Sequence, residues 1–183
     1  MQKAVTAALV SLVASTGLAD PPKLAPSVSV EGKSLSLNGT GMRQATVFNV
    51  NVYLAGLYLE KKSGVENEVI KSEQAKRLVM HFVRDVDKEA LVDAFDEGFK
   101  KQGQASGSLA PRIKRFEGFM ADVKDDDEIV FTYIPEKGTS VLVKNEAKGT
   151  VVGADFAQAL FTIFIGPNPP NSGLKSGLLG AKS

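Results

Sequence analysis

A single arginine precedes a run of polar residues that recur at every second position of a predicted strand. Residues on a strand alternate between its two sides, so Asn49, Asn51 and Tyr53 share one side with Val47, and Arg43 joins them if the register continues. A guanidinium keeps its charge and presents a rigid fork of donors, which suits a carboxylate or a carbonyl oxygen. We therefore predict that Arg43, Asn51 and Tyr53 contact the anionic or carbonyl end of a small apolar ligand.

Each of these residues also has an ordinary structural interpretation. Arg43 can hold a loop in place by donating to backbone carbonyls. Tyr53 can be a core residue whose hydroxyl is hydrogen-bonded, and Asn51 can face solvent on an open sheet. The strand pattern alone does not choose between the two interpretations.

The elements that position these residues are predicted from periodicity and turn chemistry. Glycines bracket a predicted loop at 38–41, and the long strand that follows begins near position 46 and continues past Gly56. Further strands are predicted at 28–30, 33–37, 77–84, Glu128–Ile134, 140–145 and 150–152, with hairpin turns at 135–138 and 147–149. Helices are predicted at 64–75, 87–102, 111–123, Ala154–Ile165 and 174–179. Strands, then helices, then strands again indicate an α+β domain with a mostly antiparallel sheet.

Composition excludes several classes of protein. The chain has 183 residues, of which 43% are hydrophobic and 23% charged, which is typical of one globular domain. A net charge of +1 provides no electrostatic footprint for nucleic acid. The absence of cysteine excludes disulfides, thiolate metal sites and cysteine catalysis.

No motif indicates a cofactor, a metal site or a hydrolase. The acidic run at 125–128 lacks the spacing of an EF-hand loop, and Gly39-Thr40-Gly41 lacks that of a nucleotide loop. The single histidine, His81, is not accompanied by a Gly-x-Ser-x-Gly elbow, which argues against a Ser-His-Asp hydrolase. We predict neither a cofactor nor a metal.

Residues 1–19 have the features of a cleavable secretory signal peptide. A lysine precedes a short apolar run, and Gly17 and Ala19 are small residues at the −3 and −1 positions of a cut before Asp20. The alternative is an uncleaved anchor, but the run is short for a membrane span. We therefore predict one domain at 20–183, located in the periplasm or secreted, with no stable membrane insertion after removal of the signal peptide.

Four segments of the chain resemble the chalcone isomerase-like family. They are NGTGMR at 38–43, VYLAGLYLE at 52–60, FTYIPEKGTSVLVKN at 131–145 and GADFAQALFTIFIGPNPP at 153–170. The resemblance spans about residues 28–179. It implies an open-faced β-sandwich, in which a large antiparallel sheet is covered by a layer of helices and a ligand cleft lies between the two.

The resemblance implies two kinds of function for Arg43. In the plant isomerases of the family, which close a chalcone to a flavanone, the matching arginine polarises the substrate. In the fatty-acid binders, which are not catalysts, it pairs with the carboxylate. A tyrosine beside that arginine is typical of the fatty-acid binders, and Tyr53 or Tyr58 can take that place.

This sequence departs from the isomerases at their other polar positions. Tyr53 stands where they carry a threonine, Asp87 where they carry a tyrosine, Ala94 where they carry an asparagine, and Ile163 where they carry threonine or serine. We therefore predict non-catalytic binding of a fatty acid or similar small amphiphile.

Two alternatives stay open. One is a chalcone isomerase-type intramolecular lyase that uses Arg43 on a chalcone-like conjugated carbonyl compound. The other is an interaction module whose cleft is filled by its own side chains. The oligomeric state is left open.

Overall fold

The strands of this chain pair strictly in chain order, each antiparallel to the one before it. In the computed structural model, which describes residues 23–45 and 48–181, seven strands form one sheet. They are β1 (Ser27–Val30), β2 (Lys33–Ala45), β3 (Val50–Leu59), β4 (Lys76–Phe82), β5 (Glu128–Ile134), β6 (Gly138–Val143) and β7 (Glu146–Val151). The predicted signal peptide at 1–19 lies outside the described residues.

Helices cover one face of the sheet. They are α1 (Glu66–Lys71), α2 (Lys88–Lys101), α3 (Ala110–Glu117, entered through a 3-10 turn at Gly107–Leu109), α4 (Ala154–Ile165) and α5 (Ser172–Leu178). This arrangement confirms the predicted α+β architecture of an antiparallel sheet under a layer of helices. Within the described ranges, no helix combines the length and apolar character needed to cross a membrane.

The core between sheet and helices is rich in phenylalanine. Phe95 of α2 meets Phe116 of α3 edge to face, with ring centroids 4.9 Å apart, and Phe131 of β5 at 5.7 Å. Phe164 of α4 completes the group against Phe95 and Phe131. Edge-to-face contacts of this kind add to the stabilisation from apolar burial, so four elements are joined through one cluster.

The prediction of a loop at 38–41 is wrong, because these residues belong to β2. Gly39 and Gly41 serve the close approach of α5 to this strand. A Cβ atom at Gly39 would lie 2.0 Å from the carbonyl oxygen of Gly177, and one at Gly41 would lie 2.5 Å from that of Leu174. Only residues without a side chain allow the two backbones to pack so closely.

The chain reverses between Ala45 and Val50, later than predicted. Asn49 has a φ of +52°, in the left-handed region that asparagine tolerates better than most residues. Phe48 lies in the same turn and is 85% exposed. The strand that carries Tyr53 therefore begins at Val50, and Arg43 lies on the preceding strand of a hairpin.

The hairpin between β6 and β7 also turns at a different place from the prediction. Lys144 and Asn145, with φ values of +53° and +62°, form its two-residue turn. Gly149, which belonged to the predicted turn at 147–149, lies inside β7 with its φ at +150°. The preceding turn, between β5 and β6, falls where it was predicted.

Candidate functional site

Strand pairing brings Arg43 and Tyr53 together. The two residues are direct partners in the ladder between β2 and β3, two positions from the pair Gly41 and Ala55, which lies on the same face. Side chains of directly opposed residues lie next to each other on the same face of a sheet. Here that face is the helix-covered one, because Ala55 and Tyr53 both belong to the buried core.

A cavity of about 250 Å³ lies where this pair faces the helices. Its walls include Met80 and Phe82 of β4, one face of α2, Ile163 and Phe164 of α4, and the segment 168–170. Most of the lining is apolar. Its polar side chains are those of Arg43, Tyr53, Glu97, Lys101 and Asn168.

Arg43 uses part of its hydrogen-bonding capacity on the backbone. Its Nη1 atom donates to the carbonyl of Gln44 and to that of Pro170, the latter at 3.2 Å. Within residues 23–45 and 48–181, Nε and Nη2 have no acceptor, and no carboxylate pairs with the guanidinium. The structural role that the sequence left open is therefore present, while other donors of Arg43 stay available at the cavity.

Tyr53 is buried next to this cation. Its side chain is 7% exposed, and its ring packs against Phe82 with centroids 5.6 Å apart. Its hydroxyl has no hydrogen-bond partner in the described part of the chain. Burial raises the pKa of Tyr53 well above its ordinary value, and the nearby charge of Arg43 opposes this only in part. The phenol therefore stays protonated at physiological pH and can donate a hydrogen bond.

Asn51 is turned away from the cavity by a bulge. The pair that follows Arg43 and Tyr53 is Gln44 and Asn51, which leaves Val52 as an extra residue on β3. The alternation reverses there, so Asn51 does not share the side of Tyr53. It is exposed, and its Oδ1 accepts a hydrogen bond of 3.1 Å from Gln44 Nε2.

Tyr58 lies on the opposite face of the sheet from the cavity. It packs with Leu35, Val79 and Val130 in a second, smaller cluster. Its hydroxyl donates to the carbonyl of Ala25 at 3.0 Å. Of the four residues predicted to bind ligand, the structure therefore brings Arg43 and Tyr53 to one cavity and leaves Asn51 and Tyr58 elsewhere.

Sequence reasoning missed the polar residues at the exposed side of the cavity. Glu97 and Lys101 of α2 form an ion pair of 2.7 Å, and Lys101 and, to a lesser degree, Arg43 lower the pKa of Glu97. The Nδ2 atom of Asn168 donates to the carbonyl of Lys101 at 3.1 Å, and the backbone carbonyl of Asn168 accepts from Gln102 Nε2 at 3.0 Å. These bonds hold the segment 168–170 against α2. The i, i+4 spacing of Glu97 and Lys101 indicates an ion pair but not its location.

The structure locates the four positions at which this sequence departs from the isomerases. Tyr53, Ala94 and Ile163 line the cavity, whereas Asp87 does not. Ala94 and Ile163 offer no polar atom in their side chains. The arrangement can therefore bind an anionic or carbonyl oxygen through Arg43 and Tyr53, and a carboxylate that also lines the cavity, that of Glu97, is ion-paired with Lys101.

The fold and the site together define a class of domain. In this class an antiparallel sheet has helices on one face, and the cavity between the two layers contains one arginine. The model of the chalcone isomerase-like family matches residues 20–180, so the chain belongs to this family. Among solved structures, a fatty-acid binding protein of Arabidopsis thaliana superposes with a TM-score of 0.65 at 15% identity, over 84% of this chain and 96% of that one. At this identity the likeness shows the fold. No curated protein matches the sequence.

Proposed function

We propose that this protein binds a fatty acid or a similar small amphiphile, without catalysis, with the carboxylate at Arg43 and the tail in the cavity. One observation carries the proposal. The guanidinium of Arg43 keeps donors that have no acceptor in the described residues, and it lies beside the buried hydroxyl of Tyr53, which has no hydrogen-bond partner there. Both groups line a cavity whose deeper walls are apolar. A carboxylate accepts hydrogen bonds from both groups, and such charge-assisted bonds are strong in a dry site. The apolar walls favour burial of a hydrocarbon tail.

The fatty-acid binding protein of Arabidopsis gives the proposal further support. That protein is named for the binding of fatty acids, and its fold is similar to that of this chain. The transfer is one of analogy between folds, so the residues around the cavity have to carry the argument.

Ring closure of a chalcone finds less support. Ala94 and Ile163 line the cavity where the isomerases carry polar side chains, so two polar groups of the isomerases are missing from this cavity. A chalcone has two rings joined by a three-carbon bridge, more than twice the carbon atoms of benzene, and a cavity of about 150 Å³ takes one benzene. The cavity of about 250 Å³ is small for such a substrate.

The proposal is tested by comparing acids with alcohols of the same tail in wild type and Arg43→Ala. Wild type is expected to bind octanoic acid about 10- to 100-fold more tightly than octanol, because charged hydrogen bonds contribute about 1.5–3 kcal/mol. Arg43→Ala should remove that difference, and Tyr53→Phe should reduce it. Affinities are measured by isothermal titration calorimetry.

The matched control is Arg84→Ala, because Arg84 is exposed and does not line the cavity. This variant should keep the preference of wild type for the acid. Equal affinity for the acid in wild type and Arg43→Ala, with both proteins folded by circular dichroism, would show that Arg43 does not bind the head group. Absence of any decrease in chalcone absorbance is expected in the same preparations.

A further inference from the structure

The cavity has an exposed end and a closed end. Lys101 and Glu97 have side chains that are 58% and 65% exposed, and Ala94 beside them is also exposed. In contrast, Phe95 and Phe164 are 5% and 2% exposed. Arg43 lies at the exposed end, because it donates to Pro170 of the segment that Asn168 holds against Lys101. A ligand with one charged end is therefore oriented, because its charge can be solvated or paired only at that end.

The closed end is formed by rings that are themselves tightly packed. Phe95 and Phe164 line the cavity, with centroids 6.4 Å apart. Behind them, Phe95 is held edge to face by Phe116 and Phe131. Protein interiors of this density do not admit further atoms without displacement of side chains, which costs free energy. The tail of a ligand should therefore stop at these two rings.

The volume between the two ends limits the size of the ligand. A cavity of about 150 Å³ takes benzene, which has six carbons, so the same ratio gives about ten non-hydrogen atoms for this site. The cavity measures about 250 Å³. Resting on the proposed function, we propose that the ligand is a medium-chain carboxylic acid of about six to eight carbons, since two of the ten atoms are the carboxylate oxygens, and that the long-chain acids of membrane lipids exceed the site.

This limit has a measurable consequence for affinity. Each methylene that enters an apolar site increases the binding constant by about fourfold. The increase continues while the tail has free volume ahead of it. A carbon beyond the rings of Phe95 and Phe164 stays in water or displaces a packed side chain, so it adds no affinity.

The experiment is a titration of the mature protein with straight-chain acids from butanoic to hexadecanoic, each below its micelle concentration. Affinity should increase about fourfold per methylene up to about eight carbons and then stay level or decrease. An increase that continues through hexadecanoic acid would overturn the size limit while leaving fatty-acid binding intact. Failure to bind any acid of the series would overturn the proposed function itself.

Two variants and one control test whether the cavity walls set the limit. Leu91, 4% exposed, lines the cavity, and Leu91→Ala should move the optimum to longer acids by about two or three carbons. Leu57 is equally buried on the same face of the sheet but does not line the cavity, so Leu57→Ala should leave the optimum unchanged. If Leu91→Ala fails to fold, Ala94→Leu provides the opposite change.

Ala94→Leu fills the cavity from an exposed helical position, where leucine is a good helix former. The optimum should move to shorter acids by about three carbons, because the new side chain occupies that much of the space. A folded Ala94→Leu protein with the chain-length profile of wild type would overturn the inference that the cavity volume selects the ligand.

Discussion

Arg43 divides its donors between the protein and the cavity. The bond to the carbonyl of Pro170 fixes one side of the guanidinium, so the side chain is oriented before a ligand arrives. A rigid donor loses less conformational entropy on binding than a mobile one. The structural and ligand-binding interpretations of Arg43 are therefore compatible, since one nitrogen serves the backbone and the others remain free in the described part of the chain.

Lys76 is a buried cation that sequence reasoning did not single out. Its Nζ donates to the carbonyls of Val69, Ile70 and Ser72 at 2.8, 3.0 and 3.0 Å, at the C-terminal end of α1. The ring of Tyr133 lies 5.3 Å from the same nitrogen. Three carbonyl oxygens satisfy the ammonium group, but none carries a full negative charge. Burial lowers the pKa of Lys76 from 10.5 to about 8.

This shift predicts a pH dependence of stability that is specific to Lys76. Between pH 8 and 10.5 the unfolded chain holds the proton that the folded protein releases, so the free energy of unfolding rises with pH in that window. Below about pH 8 the cost of burying the charge is present in full. Relative to Lys76→Met, which carries no charge, wild type should gain about 1 kcal/mol between pH 7 and pH 9.

Urea unfolding of both proteins at several pH values provides the measurement. The exposed Lys61 supplies the matched control, because Lys61→Met should differ from wild type by a constant amount across the same range. Parallel pH profiles for wild type and Lys76→Met would contradict the assigned shift.

At the level of elements, α5 protects one edge of the sheet. Beyond its pairing with β1, the outer edge of β2 is covered by α5 and by the side chain of Asn171. Asn171 donates to the carbonyl of Met42 at 3.1 Å and accepts from the amide of Gln44 at 3.3 Å, so it replaces a neighbouring strand. Covered edges do not pair with other chains, which protects a sheet from aggregation.

The contact between β2 and α5 predicts a large effect of one methyl group. In Gly41→Ala the new Cβ would lie 2.5 Å from the carbonyl oxygen of Leu174, a backbone atom that cannot move alone. We expect a loss of about 2–4 kcal/mol in the free energy of unfolding. Gly173→Ala, also at this interface, meets only the Asn171 side chain at 3.5 Å and should be neutral or slightly stabilising.

Chemical denaturation of the two variants and wild type measures both effects. A Gly41→Ala protein as stable as wild type would show that the helix can shift outward at little cost. In that case the close packing would not be the reason for glycine at this position.

At the level of the whole molecule, the cavity exists because the sheet and the layer of helices do not fill the space between them evenly. The sheet and the helices pack through large aromatic residues at the centre, whereas α2 presents Ala90 and Ala94 towards the hairpin of β2 and β3. Small side chains opposite a strand leave space that the layers do not fill. The bulge at Val52 and the segment 168–170 close that space on two further sides.

Export of the whole molecule is a separate prediction. If residues 1–19 are a signal peptide, protein in the extracytoplasmic fraction should begin at Asp20, because Ala19 satisfies the small-residue requirement at −1. Intact mass spectrometry of fractionated cells measures the N-terminus. Ala19→Arg should block processing and leave the longer chain. Full-length wild-type protein confined to the cytoplasm would contradict the prediction.

Local patterns were sufficient to predict the α+β order of the elements, whereas Arg43 and Tyr53 meet through pairing of two strands, which alternation along one strand does not predict. Alternation of period two, helical periodicity and the motif residues are properties of neighbours in the chain, and the predicted α+β order holds in the described residues. The turn between β5 and β6 was also predictable, because the proline and the glycine at its two ends favour turns.

The position of Asn51, the role of Gly39 and Gly41, and the size of the cavity depended on tertiary structure. Tyr58, in contrast, lies five residues beyond Tyr53 on β3 and faces the other side by alternation alone. One bulged residue reverses the side of every residue beyond it, and a glycine that permits a turn is indistinguishable in sequence from one that permits close packing. A cavity is the space left after all side chains have packed, so residues far apart in the chain determine it jointly.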